Sequence, residues 1–254
     1  MNREHNETQH ITEFLLNESA KDFNCDTKIY RYIDYDNMLQ VLDGELRVSA
    51  KKTFADKYDA GNTIPLKAVF KNFITEYGNK DALLTKYSPT SLINTFKTSA
   101  NYFASCWTLS KDNYLMWNAY THGNSGVCIE STVSNFVASI DPLSIEPFLI
   151  CCSPMYYDGY SSISEVEEIL FKKLRQYEGE QEVRFYFLDG KQTNTEKANT
   201  NRDYVFLKID PEVMIDKLII SPFMRGNSAH ILKQNLEEKY SYLKDRIEFS
   251  QISE

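Results

Sequence analysis

Residues 177–188 read YEGEQEVRFYFL, in which three alternating glutamates run directly into an apolar and aromatic stretch. The stretch after Glu182 is typical of a buried β-strand. Because side chains alternate along a strand, Glu180, Glu182 and Arg184 are predicted to share one face. Neighbouring carboxylates repel each other, so their burial requires a cation or a ligand hydroxyl. Arg184 is the candidate cation on that face. The alternative is a solvated strand entrance with a surface ion pair, which contributes under about 1 kcal/mol.

Strands predominate on both sides of this segment. Apolar and aromatic runs predict strands at 28–32, 46–49, 102–109, 126–130, 147–157, 183–188, 204–209 and 217–220. Apolar spacing and capping residues predict helices at 8–20, 34–42, 64–77, 90–100, 113–120, 164–176 and 227–240, with loops at 55–63 and 189–203. Asp34 is the candidate N-cap of the 34–42 helix. A regular βαβ alternation and the glycine-rich dinucleotide and phosphate fingerprints are missing. The sequence therefore predicts an α+β fold in a single domain, with a split, mostly antiparallel sheet flanked by helices.

Composition narrows the class of protein. The 254 residues contain 28 Lys and Arg against 36 Asp and Glu, a formal net charge of −8, which disfavours non-specific coating of nucleic acid. No apolar run approaches the roughly 20 residues that span a bilayer, and the polar N-terminus lacks a signal-peptide core. Five cysteines without a CxxC pair are typical of a reducing compartment. We expect a cytoplasmic protein that does not contact membranes. The scattered histidines predict no metal site.

Arginine 31 lies between two aromatic residues, Tyr30 and Tyr32, in the strand predicted at 28–32. A guanidinium binds phosphate through two parallel hydrogen bonds and also stacks on rings. Arg31 and Tyr30 are therefore predicted to hold an anionic ligand. The alternative is a surface arginine on an edge strand.

Residues 105–130 contain both tryptophans of the chain. The strand predicted here ends near Thr108 and Ser110, whose hydroxyls can hydrogen-bond a ligand. Trp117 and Tyr120 are three residues apart and share one face of the following helix, which suits stacking on a flat ligand. The alternative for Trp117 is a core position.

Together these segments resemble an uncharacterised bacterial domain family over roughly residues 29–240. The shared pieces are a Tyr-Arg strand, G-x-L-x-x-S, a Cys-aromatic-Ser/Thr strand, L-M-W-x-x-Y, G-x-C-I-E, E-x-E-x-R and a terminal Ile-Ile-Pro strand. In this chain they lie at 30–31, 44–49, 106–108, 115–120, 126–130, 180–184 and 219–222. The family pattern F-N-D-P-x-E is matched only by Phe54 and Asp56 within 53–59, which puts a role for that loop in doubt.

The layout also resembles the ADP-ribosyltransferase fold, DarT-like toxins that modify nucleic acids in particular. This resemblance implies an N-terminal helical extension at 1–27 and an ADP-ribosyltransferase-like domain at 28–254. It implies NAD as co-substrate. The catalytic residues would be Glu182, which stabilises the ribosyl cation, and Glu180, which positions the acceptor or assists removal of its proton.

The same resemblance implies roles for the other candidate residues. Arg31, with Tyr30, would hold the diphosphate, and Thr108 or Ser110 would hold the Arg31 region and the ribose. Trp117 or Tyr120 would stack on nicotinamide or adenine. Residues 55–63 would close over the cofactor.

The implied activity is that of a bacterial toxin, from a toxin–antitoxin or phage-defence system. It would transfer ADP-ribose to a macromolecular acceptor, RNA or DNA in preference to protein, and have an antitoxin protein as partner.

Two alternatives remain open. One is a metal-dependent nuclease in which Glu180, Glu182 and upstream aspartates hold Mg²⁺, and this alternative would need a lysine near the pair of glutamates. The other is a non-catalytic partner-binding module of a defence system.

Overall fold

The computed structural model describes residues 14–16, 23–50, 53–54, 102–121, 125–141, 150–157, 172–188, 203–224 and 226–252. Its helices are α1 (Tyr35–Leu42), α2 (Tyr114–Thr121), α3 (Val133–Ser139), α4 (Pro211–Met214) and α5 (Ser228–Lys239), with 3₁₀ helices at Arg175–Glu180 and Ser241–Leu243. Its strands are β1 (Phe14–Leu16), β2 (Lys28–Asp34), β3 (Glu45–Ala50), β4 (Tyr102–Thr108), β5 (Gly126–Thr132), β6 (Ile150–Pro154), β7 (Tyr156–Tyr157), β8 (Lys172–Lys173), β9 (Glu182–Leu188), β10 (Tyr204–Lys208), β11 (Lys217–Ile220) and β12 (Ile247–Phe249).

One mostly antiparallel sheet organises the described part of the chain. Its strand order is β1-β6-β9-β4-β2-β5-β11-β12, and β10 pairs with β3, which in turn pairs with β4. Only the pairs β1–β6 and β11–β12 within this sheet are parallel. The prediction of a mixed fold with a mostly antiparallel sheet flanked by helices is confirmed. None of the described helices is long and apolar enough to cross a bilayer.

The sheet opens between β2 and β4. These strands share a single residue pair, Tyr30 with Thr108, whereas β2 pairs with β5 along its whole length. Farther along the same edge of β4, β3 pairs with Phe103 and Ala104. The β4 residues in between, 105–107, have no partner strand on that edge in the described part of the chain. We call this opening the β2–β4 gap.

Helices cover both faces of the sheet. On one face α1, α3 and α5 bury apolar side chains in a large core that includes Met38, Phe136 and Leu236. On the other face α2 packs Met116 and Trp117 in a smaller cluster with the β2 tyrosines. The smaller cluster therefore lies beside the β2–β4 gap.

The start of α1 depends on a side-chain cap. Oδ1 of Asp34 accepts a hydrogen bond from the backbone N–H of Asn37 at 2.8 Å, as the sequence predicted for this residue. Because Asp34→Ala removes that acceptor, we expect it to lower the free energy of unfolding by about 1 kcal/mol in urea titrations. Asp34→Asn keeps an acceptor at the same place and should stay close to wild type. An equal loss in both variants would contradict the capping role.

Gly126, at the start of β5, has no room for a side chain. A Cβ there would lie 2.6 Å from the carbonyl oxygen of Ile33 and 2.6 Å from Cγ2 of Thr121. The Ile33 carbonyl belongs to the paired β2 strand and cannot move independently. We expect Gly126→Ala to cost about 2 kcal/mol of unfolding free energy in urea titrations. Gly179→Ala is the control, because its Cβ would meet only a Leu115 methyl at 3.9 Å.

Two helix predictions are wrong where they can be compared with the structure. Within the predicted 8–20 helix, Phe14–Leu16 form β1 and pair with residues 150–152 of β6. Pairing to an open sheet edge overrides a local helical pattern at such a short segment. Within the predicted 164–176 helix, Lys172–Lys173 form β8, which pairs with β7, and a 3₁₀ helix begins at 175.

Other predicted elements lie outside the described residues: the 55–63 loop, the 64–77 and 90–100 helices, and the 189–202 part of the polar loop. Elsewhere the predicted strands and helices are present, with ends shifted by a few residues. Two α-helices, one 3₁₀ helix and one strand were missed: α3, α4, Ser241–Leu243 and β12. Each is short, and long-range contacts hold three of them: α3 contacts β5 and α4, and β12 pairs with β11.

Candidate functional site

A cavity that opens to solvent lies at the β2–β4 gap, between the sheet and α2, and its free space, counted with the open side, is about 270 Å³. Its lining brings together residues from the strands β2, β4 and β9, from α2 and from the 3₁₀ helix: Tyr30, Arg31, Tyr32, Cys106, Trp107, Met116, Tyr120, Glu180 and Glu182. Five of the eight predicted site residues are in this list. The lining thus combines four aromatic rings with one cationic and two anionic side chains.

Arg31 spans the gap. Its guanidinium donates to Oγ of Ser105, to the carbonyl oxygen of Cys106 at 3.5 Å and to the carbonyl oxygen of Arg47 at 3.3 Å. Of the described residues, no carboxylate forms an ion pair with it. Burial lowers the pKa of Arg31, but a guanidinium keeps its charge in proteins. An uncompensated cation at a cavity wall favours an anionic ligand.

Glu182 is a buried carboxylate with two cationic partners. Its Oε1 accepts from Nε of Arg184 at 2.7 Å, and its Oε2 accepts from Nζ of Lys173 at 2.8 Å. Burial raises the pKa of Glu182, but Arg184 and then Lys173 outweigh burial and bring it to about 2. The carboxylate is therefore ionised at neutral pH. The predicted partnership with Arg184 is confirmed.

Glu180 lies close to Glu182, as predicted, but it belongs to the 3₁₀ helix and not to the strand. It ends a 3₁₀ helix, and Gln181 adopts a left-handed conformation with φ of 43° before β9 begins. Strand alternation therefore does not align Glu180 with Glu182. Lys173 aligns them instead, because its Nζ lies 2.6 Å from Oε2 of Glu180 and 2.8 Å from Oε2 of Glu182.

Lys173 is the functional residue that sequence reasoning missed. It is almost fully buried, and its ammonium lies 4.8 Å from the ring centroid of Tyr177. The charges of Glu182 and Glu180 outweigh its burial and raise the pKa of Lys173 well above its usual value. The sequence predicted a helix over 164–176, and a helix there does not bring this lysine to Glu180 and Glu182.

Thr108 and Ser110 lie beside the cavity and outside its lining. Oγ1 of Thr108 donates to the carbonyl oxygen of Glu180 at 2.6 Å and accepts from the backbone N–H of Ser110 at 2.9 Å. The Ser110 carbonyl accepts from the Tyr32 hydroxyl at 3.0 Å. Their observed role is to hold the 3₁₀ helix and Tyr32 in place.

The two predicted stacking residues differ in position. Trp117 is fully buried, donates from Nε1 to Asp112 at 2.8 Å and packs edge-on against Tyr32. It belongs to the core, which was the alternative for this residue. Tyr120 lines the cavity and is 40% exposed, so its ring is accessible to a ligand.

Two further lining residues, Trp107 and Cys106, were present in the motif but had no predicted site role. Trp107 lies 5.9 Å from the guanidinium carbon of Arg31, measured to its ring centroid. Burial raises the pKa of the Cys106 thiol to about 12. Cys106 is therefore protonated at neutral pH and unsuited to act as a nucleophile.

Four charged side chains form one ion-paired cluster: the anions Glu180 and Glu182 and the cations Lys173 and Arg184. Arg31 is a further cation in the lining of the cavity. In the described residues no group of three His, Cys, Asp or Glu side chains is placed to hold a metal ion. Comparisons with models of known protein families, with curated proteins and with solved structures gave no match.

Proposed function

We propose that this chain is an NAD-dependent ADP-ribosyltransferase with an ADP-ribosyltransferase-like fold. It transfers ADP-ribose to a macromolecule, nucleic acid in preference to protein, and acts as a toxin of a toxin–antitoxin or phage-defence system. One observation carries the proposal: the ionised Glu182 carboxylate and the cation Arg31 both line one aromatic cavity.

Glu182 supplies the charge that this chemistry needs. When the bond between nicotinamide and the ribose C1′ breaks, the electron pair leaves with nicotinamide and the ribose becomes positively charged. A fixed carboxylate stabilises such a cation as it develops. Because Arg184 and Lys173 hold both oxygens of Glu182, the carboxylate needs little reorganisation during the reaction.

The lining of the cavity supports the same ligand. Aromatic side chains surround it, and the exposed Tyr120 ring is available to stack on nicotinamide. The diphosphate would then lie at Arg31, whose guanidinium has no carboxylate partner among the described residues. The adenosine half would lie outside the described cavity.

Glu180 is suited to the acceptor side of the reaction. Its side chain is less buried than that of Glu182 and pairs with the same lysine, with Oε2 at 2.6 Å from Nζ of Lys173. In transfer, the acceptor atom forms a bond to C1′ and loses its proton. Glu180 would orient that acceptor or take its proton.

Lys173 is also the lysine that a metal-dependent nuclease would require near the glutamate pair. Its ammonium, however, already lies between the two carboxylates, at 2.6 and 2.8 Å, where a metal ion would bind. This arrangement favours the transferase. The non-catalytic binding module differs from it in a measurable way, because it predicts no consumption of NAD⁺.

The test uses NAD⁺ labelled in its adenylate half, incubated with the chain and with separate pools of DNA, RNA and protein. We expect label in a nucleic-acid pool and release of one nicotinamide per label transferred. NAD⁺ should also raise the melting temperature, because it binds only the native state. No transfer, no nicotinamide release and no change in melting temperature would together refute the proposal. Label confined to the protein pool would refute its nucleic-acid part.

A further inference from the structure

The β3–β10 strand pair carries exposed aromatic and basic side chains, which we call the β10 platform: Tyr204 and Phe206 on β10, and Arg47 on β3. The two aromatic residues are 44% and 37% exposed, and their ring centroids lie 5.3 Å apart. The Arg47 guanidinium carbon lies 4.4 Å from the centroid of the Tyr204 ring. Leu207, between outward-facing neighbours, is fully buried in the core. The platform is thus the solvent side of an otherwise well-packed strand pair.

The platform lies on the same face of the sheet as the cavity. Ser49 of β3 pairs with Tyr204 on one side and with Ala104 of β4 on the other, so these three side chains share a face. Strands are spaced by about 4.8 Å, which puts β10 about 10 Å from β4. The backbone carbonyl of Arg47 also accepts a hydrogen bond from Arg31, a cavity residue, at 3.3 Å.

The chemistry of the platform matches a nucleobase with a phosphate attached. Exposed rings offer stacking faces, and a guanidinium binds phosphate oxygens. Lys208 is already paired with Glu45 across the same two strands, whereas Arg47 forms no ion pair with any described carboxylate. The guanidinium of Arg47 therefore remains available to an anion.

The net charge of the chain favours single-stranded over double-stranded nucleic acid. Binding to a duplex surface depends on neutralising several phosphates at once, which a chain with net charge −8 is poorly suited to do. A single strand is held mainly by stacking of its bases and needs fewer ionic contacts. Only a single strand offers unpaired bases to Tyr204 and Phe206.

We propose that the β10 platform binds single-stranded nucleic acid by stacking bases on Tyr204 and Phe206 while Arg47 contacts a phosphate, and so presents the strand to the cavity as acceptor. The acceptor role rests on the proposed function. Binding to the platform does not, because it requires neither NAD⁺ nor Glu182.

The experiment measures fluorescence anisotropy of labelled 12-nucleotide single strands, one DNA and one RNA, without NAD⁺ and over a range of salt concentrations. We expect Tyr204→Ala to weaken binding about 5- to 100-fold. Arg47→Gln should weaken binding and reduce its salt dependence. Phe249→Ala is the matched control and should leave binding unchanged. Phe249 is 38% exposed and lies 5.8 Å from the Lys233 ammonium, but it is on β12 at the far end of the sheet.

Several results would overturn the proposal: no binding of either 12-mer, equal binding by wild type and Tyr204→Ala, or tighter binding of the matching duplex. Label transfer to nucleic acid that is unaffected by Tyr204→Ala would overturn the acceptor role. Strand binding without any consumption of NAD⁺ would support binding at the platform and count against the transferase. Consumption of NAD⁺ without strand binding would support the transferase and count against binding at the platform.

Discussion

Glu182→Gln is expected to lower the rate of nicotinamide release from NAD⁺ at least about 100-fold at neutral pH, the effect typical of removing one electrostatic contact to a transition state. The amide keeps the size and shape of the side chain but lacks the negative charge that stabilises the ribosyl cation. Because Arg31 and Tyr120 are unchanged, the affinity for NAD⁺ should change much less than the rate. Rates of nicotinamide release and NAD⁺-induced shifts in melting temperature measure the two effects separately.

The control for this variant is Glu178→Gln, two residues from Glu180 in the same 3₁₀ helix. The Glu178 side chain is 64% exposed, and Arg175, at 3.8 Å, is its only ion-pair partner among the described residues. Its replacement should leave both the rate and the affinity near wild type. A Glu182→Gln protein that is folded by circular dichroism and still turns over NAD⁺ at the wild-type rate would contradict the catalytic assignment.

Local signals in the sequence predicted most of the sheet, because its strands are apolar runs with clear ends. Asp34 at the start of α1 was predicted for the same reason, since capping depends on a few adjacent residues. The helix predicted over 8–20 failed at 14–16, because an open strand edge more than 130 residues away decides the structure there. Periodicity carries no information about such distant pairing.

The candidate site shows the same division between local and distant information. Glu182 and Arg184 are two residues apart in one strand, so their pairing followed from alternation alone. Lys173 pairs with both glutamates only because β7 and the 3₁₀ helix bring β8 back to the start of β9. Trp117 satisfied the spacing of a stacking residue, yet its indole N–H is bonded to Asp112 inside the core. Helical spacing alone does not distinguish a face that meets a ligand from one that meets the core.

Acid is expected to remove a large part of the stability that Glu182 contributes. Its pKa is about 2 in the folded chain and 4.5 when unperturbed. A carboxylate with a lowered pKa stabilises the fold fully above its unfolded pKa, and this stability is lost as the pH falls toward the folded value. A difference of about 2.5 pKa units corresponds to roughly 3 kcal/mol. The loss should therefore fall between about pH 4.5 and pH 2.

Urea titrations of wild type and Glu182→Gln at several pH values isolate this contribution, because Gln does not titrate and resembles a protonated Glu in shape. Near pH 6 the variant should be less stable than wild type by roughly 3 kcal/mol, since it leaves Arg184 and Lys173 without their shared counter-charge. The difference should shrink as the pH falls below about 4.5, because the unfolded wild-type chain then takes up a proton at Glu182 whereas the folded chain stays ionised until about pH 2. Glu178→Gln should differ from wild type by less than about 1 kcal/mol throughout, because it removes only an exposed pair. If the gap between wild type and Glu182→Gln stayed constant from pH 6 to pH 3, the buried ion pairs with Arg184 and Lys173 would not be what holds Glu182 ionised.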